Sequence, residues 1–172
     1  MIDESAYEAF AKRNNNDEAS SEVAALKGNF LSNLNIWLNR NRDAGDFRPL
    51  IRKILLQDRQ TRLSEEEVED FDTDTMNDYA FLLANYRSLP DVLFIWHIKA
   101  ANIHSHMTLR QHYLVFCGVN ETKEFLMKEG SELAAAALDW IVGCDDAGDF
   151  EDLDGYIGSA VRDYNSRDYY ID

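Results

Sequence analysis

Apolar residues return every three or four positions along most of this chain. Val23, Leu26, Phe30, Leu34 and Trp37 make one stripe over 20–39, because a period of 3.6 residues brings those spacings back to one helix face. Tyr7, Phe10 and Ala11 do the same on a shorter scale over 5–13. Asn14-Asn15-Asn16-Asp17 then predicts a break, since these side chains compete for backbone hydrogen bonds. A third helix is expected from Phe47, with Leu50, Ile51, Ile54 and Leu55 on its buried face. Pro49 falls in its first turn, where a missing N–H does no harm. Ser64-Glu65-Glu66-Glu67 has the form of a capping box opening a further helix. Thr73 or Asp74 fits as cap of the helix after it, which carries Tyr79, Leu82, Leu83 and Tyr86 and is expected to end at Pro90.

The pattern then changes. Val92 to Ile103 is apolar on nearly every side, which for a helix means a central, buried position. Leu109–Phe116, Thr122–Met127 and Ser131–Val142 follow as helices, the last two closed by Gly130 and Gly143, and a final helix spans 150–163. Val92–Ile98 and Tyr113–Val119 are short runs with β-branched residues, for which periodicity does not separate a buried strand from a buried helix. The reading is an all-α fold, a compact bundle of about seven to nine helices in one domain over 1–172. An α+β fold with two central strands is the alternative. Only two prolines and eight glycines interrupt the chain, which favours the helical reading.

Residues 37–54 and 140–157 align without a gap. Trp37 matches Trp140, Asp43-Ala44-Gly45-Asp46-Phe47 matches Asp146-Ala147-Gly148-Asp149-Phe150, Leu50 matches Leu153, and Ile54 matches Ile157. The duplication predicts a repeated helix–turn–helix joint. Gly45 or Gly148 would supply a positive φ, Asp46 or Asp149 would cap the next helix, and the Phe, Leu and Ile behind it would pack back as a hairpin. Its aspartates are thus expected to serve turns and caps rather than catalysis.

Charge alters the picture more than composition does. The chain carries a formal net charge of −15, which repels phosphates and anionic lipid, so direct nucleic-acid or membrane binding is disfavoured and a basic partner favoured. The N-terminus is acidic without an apolar core, unlike a signal peptide, and Val92–Ile98 is too short to span a bilayer. Cys117 and Cys144 lack metal-type spacing and read as buried free thiols in a reducing compartment, so a cytoplasmic setting is expected. The two joints have diverged in charge. Arg40, Arg42, Arg48, Arg52 and Lys53 surround the first, whereas Asp139–Asp154 around the second holds seven carboxylates and no base.

Motifs for catalysis are few. His97, His104, His106 and His112 lie close in sequence and offer candidate metal ligands, but no Asp, Glu or Cys stands between Val92 and Cys117. Asp70, Asp72 and Asp74 alternate like a calcium loop, yet Thr75 replaces the required glycine and Phe81 the closing glutamate. No phosphate loop or nucleophile elbow is present. The chain is therefore expected to need no cofactor and to act as a non-enzymatic binding protein. An immunity protein or antitoxin that neutralises a basic, nuclease-type toxin fits its size and charge. Asp145, Asp146, Asp149, Glu151, Asp152, Asp154 and Tyr156 are the candidate partner-binding residues. A DNA-mimic inhibitor, a metal-dependent enzyme built on the histidine segment, and a homodimer-forming structural protein are the alternatives.

Overall fold

The computed structural model describes residues 4–16, 18, 20–26, 28–64 and 73–169. Among the described residues the fold is all-α: ten α-helices and two 3₁₀ turns, with no strand. In chain order these are α1 (Glu4–Asn14), α2 (Ser21–Ala24), α3 (Gly28–Arg40), α4 (Arg48–Ser64), α5 (Thr73–Asn85), α6 (Leu89–Lys99), α7 (Ile103–Thr108), α8 (Val119–Glu129), α9 (Glu132–Asp146) and α10 (Leu153–Ser166). The 3₁₀ turns are Arg42–Ala44 and Gln111–Val115.

α5 and α6 form the centre. Met76, Tyr79 and Ala80 to Ala84 are all buried on α5, which packs against α3, α4, α6 and the 111–115 turn. Phe81 stacks on Tyr164 of α10 with centroids 3.8 Å apart and meets Tyr113 and Phe116 edge-on at 6.0 Å. The Tyr79 hydroxyl, enclosed in this core, donates to the Leu31 carbonyl at 2.7 Å, which satisfies a polar atom that water cannot reach. α6 lies against α4, α5, α8 and α9, and α8 and α9 form an antiparallel pair on its outer side. Its first turn holds Asp91, buried and bound by the Arg52 guanidinium of α4. α3 packs on α10, where Asn39 Nδ2 donates to Asn165 Oδ1 at 3.0 Å, and Tyr7 of α1 stacks on Tyr169 beyond α10.

Several expected boundaries move. The helix expected over 20–39 is split into α2 and α3, because the backbone turns left-handed at Gly28 (φ +54°). α4 extends as far as Ser64, and Glu65 to Asp72, which hold the rest of the expected capping box and most of the calcium-like run, lie outside the described residues. Pro90 does not end α5. It sits in the first turn of α6, where its fixed φ suits a helix start. The run Val92–Ile98 is helix, and Tyr113–Val119 is divided between a 3₁₀ turn and the start of α8, so the two-stranded alternative is overturned. α9 runs through Gly143 to Asp146, and α10 begins at Leu153 rather than Phe150. No helix among the described residues is long and apolar enough to cross a membrane.

Candidate functional site

The repeated joint is used twice but folded in two ways. In the first, Gly45 has an extended backbone (φ −175°) and contributes no positive φ. Its small size is required instead by the Phe47 ring, since a Cβ would lie 3.3 Å from the ring edge. Asp46 Oδ1 accepts the Arg48 N–H at 3.1 Å at the start of α4. In the second, Gly148 does supply the left-handed turn (φ +84°). Asp149 does not cap α10, however. Asp152 does, accepting the Gly155 N–H at 3.2 Å, because α10 begins at Leu153, further beyond Gly148 than α4 begins beyond Gly45, and so leaves Asp149 ahead of the cap. Phe47 and Phe150 are both buried, but Phe47 packs on Trp37 whereas Phe150 packs on His112. Nor do the joints make two hairpins. The chief neighbour of both α3 and α4 is α5, and α10 packs on α3, so each joint turns a corner.

Charge separates the joints more sharply than backbone does. In the first, Arg48 pairs with Asp46 at 2.6 Å and reaches Asp91 at 3.9 Å, Arg52 binds Asp91, and Arg42 lies 3.6 Å from Asp43. The hydrogen bond from Arg48 holds the Asp46 carboxyl below its ordinary range, partly offset by burial. At the second joint the residue aligned with Arg48 is Glu151. Among the described residues, Asp145 alone of the carboxylates from Asp139 to Asp154 has an ion pair, with Lys123 of α8 at 2.5 Å.

The candidate residues therefore fall into groups. Asp146, Glu151 and Asp154 are exposed and have no cation within ion-pair distance among the described residues. Asp154 lies in the first turn of α10, where the helix dipole favours a negative charge. Asp149 is exposed and accepts from Gln111 Nε2 at 3.1 Å, and its carbonyl lies 3.0 Å from His112 Nε2. Asp145 and Asp152 are occupied by the α8 lysine and the α10 cap. Tyr156 lies one turn beyond Asp152 on α10 and faces His112. Its ring stacks on His112 at 3.8 Å and its hydroxyl accepts from Arg110 at 3.3 Å.

Tyr156 lines a separate polar cleft of about 730 Å³ between α5, α10 and the 111–115 turn. There Asp78 accepts from the Tyr164 hydroxyl and, at 2.8 Å, from Arg167. Burial raises the Asp78 carboxyl, and the Tyr164 and Arg167 hydrogen bonds oppose that shift. Its polar groups bond one another, which clamps α10 to α5. Sequence reasoning missed this network, because its members lie on three elements and share no spacing.

The histidines do not converge. His97 lies half-buried on α6 and His104 is exposed. His106 packs edge-on against Trp140 at 4.4 Å, and His112 is held under Tyr156. Burial lowers the pKa of His97, His106 and His112. Among the described residues no group of three or more His, Cys, Asp or Glu is placed to hold a metal ion. Cys144 is buried and Cys117 half-buried, both free. Lys99, also missed, is buried beside Cys144 in the fold. Its Nζ donates to the carbonyls of His106 and Leu109, and desolvation lowers its pKa to about 8. What the site offers is a fixed array of open carboxylates with no nucleophile–base pair among them. No protein-family model, curated protein or solved structure matches this chain.

Proposed function

We propose that this protein is a binding protein that neutralises a basic protein partner through the acidic joint between α9 and α10. One observation carries the reading. The first joint balances its carboxylates with its own arginines, while the second leaves Asp146, Glu151 and Asp154 exposed without cations. Open like charges repel one another, whereas a cationic surface laid over them would remove that repulsion and speed encounter. A nuclease-type toxin, basic because it must hold nucleic-acid phosphates, is a partner of this chemistry, and covering its basic face would block its substrate. The protein would then serve as an immunity protein or antitoxin.

The test is affinity isolation from a native lysate at low and high salt, followed by kinetics with the retained partner. A basic nucleic-acid-binding protein should be held at low salt and released at high salt, and its nuclease activity should fall as this protein is added. The double variant Asp146→Lys/Asp154→Lys should associate about tenfold more slowly at low salt. Retention indifferent to salt, or an unchanged association rate, sinks the reading.

A further inference from the structure

The acidic joint borders a groove. α7 and α9 leave a depression of about 460 Å³ lined by Trp140, Gly143 and Ala147 of the joint and by Met107 of α7, with Asp139 and Asp149 also at its edge. Met107 and Ile103 stand four residues apart on α7, which puts them on one face. They are 75% and 77% exposed, the most open large apolar side chains among the described residues. Asn102 Nδ2 donates to the Arg62 carbonyl at 3.3 Å, tying the start of α7 to the end of α4, where Leu63 is 49% exposed. Single exposed apolar residues are ordinary, but a row of them beside a tryptophan-lined groove marks a contact surface.

The charge around this groove says what covers it. The cation in its wall, Lys99, points Nζ at the His106 and Leu109 carbonyls, with the Trp140 ring 5.3 Å away. Its charge is thereby taken up by the C-terminal end of α7. The exposed charges at the edge are Asp139 and Asp149, with Asp146 nearby on the same helix. A second copy of this chain would bring a net charge of −15 against the same sign, so a homodimer through this face is opposed.

We propose that the groove and the exposed face of α7 receive a basic amphipathic segment of the partner. Its apolar residues would seat against Met107, Ile103 and Trp140, and its cations would meet Asp139, Asp146 and Asp149. The proposal rests on the basic-partner reading and adds what charge alone lacks. Attraction between exposed charges speeds encounter and is screened by salt, while desolvated apolar anchors slow dissociation.

The experiment uses the full chain and two fluorescent peptides of equal length and lysine content: an amphipathic Lys/Leu helix, and its counterpart with every Leu replaced by Ser. Anisotropy titrations should show the Leu peptide binding about tenfold tighter than the Ser peptide. The neutral double variant Ile103→Ser/Met107→Ser should abolish that preference while its helical signal and melting temperature stay unchanged, since both side chains are open to water. Equal binding of the two peptides overturns the proposal, as does a preference that survives the double substitution. The reading beneath it is judged separately. Asp146→Lys/Asp154→Lys should weaken both peptides alike, and binding indifferent to that reversal defeats the basic-partner reading even if the Leu preference stands. Failure of both peptides to bind overturns both.

Discussion

Lys99 shows how one residue can be set by its neighbours against its own chemistry. A lysine in an apolar segment would ordinarily reach for water, yet here it is 1% exposed and its amine bonds two carbonyls near the end of α7. A neutral amine has two N–H donors and keeps both bonds, so the depressed pKa of about 8 costs the site no hydrogen bond. The pH dependence follows. Below pH 8 both folded and unfolded chains hold the proton, and the burial penalty is felt in full. Between about 8 and the ordinary value of 10.5 the unfolded chain keeps a proton that the folded chain releases, so the contribution of Lys99 to stability rises with pH across that window. Lys99→Met should lack this rise. Denaturant titrations of both proteins at several pH values should therefore show the wild type gaining on the variant above pH 8, by at most about 1.4 kcal/mol per pH unit. A constant difference would place the lysine charge in solvent.

At the scale of elements, the boundaries of α9 separate two glycines that look alike in sequence. Gly130 ends α8 in the left-handed region (φ +65°), its N–H donating to the Leu126 carbonyl at 3.3 Å. Gly143 lies inside α9, and a Cβ there would meet no atom within 4 Å. Gly143→Ala should then stabilise the protein by about 0.5–1 kcal/mol by stiffening the unfolded chain and improving helix propensity. Gly130→Ala should destabilise by about 1 kcal/mol, the cost of forcing an L side chain into a left-handed turn. Thermal and denaturant unfolding of the two variants checks the sign. If both proved costly, α9 would end at Gly143 as its sequence pattern implies.

For the molecule as a whole, the net charge of −15 is unevenly compensated. Ion pairs hold the acids of the α3–α4 joint, while the α9–α10 joint leaves Asp146, Glu151 and Asp154 without a cation among the described residues. One substitution should make the second joint resemble the first. Glu151→Arg would stand to Asp149 as Arg48 stands to Asp46, two residues on. At low ionic strength it should raise stability by about 0.5 kcal/mol, with the gain fading as salt screens the pair. Association with a basic partner should slow at the same time. Unfolding midpoints at two salt concentrations test the first effect. A variant neither more stable at low salt nor sensitive to added salt would mean the open carboxylates do not repel.

Much of this architecture follows from the chain read by itself. The spacing of Phe30, Leu34 and Trp37, and of Leu50, Ile51, Ile54 and Leu55, determines helices because burial of one stripe dominates local preference. The scarcity of breakers points to an all-helical bundle, and the all-round apolar character of Val92 to Ile98 places that segment inside it. The duplicated Trp and Asp-Ala-Gly-Asp-Phe motif marks two joints between helices, though not that they turn corners instead of closing hairpins, and the acids around the second are plain in the sequence. Only the tertiary structure decides which acids stay open. Asp145 and Asp149 find partners in Lys123 and Gln111, and the Tyr156 ring stacks on His112 at the edge of the Asp78 cleft. It also decides that Ile103 and Met107, in a segment without a single acid, face outward, because α7 is a six-residue helix joined to the bundle on its other side through Ser105 and Leu109. The physical reason is common to both outcomes. Periodicity records which side of an element is apolar, whereas partnership and exposure depend on what another element, distant in sequence, brings to that side.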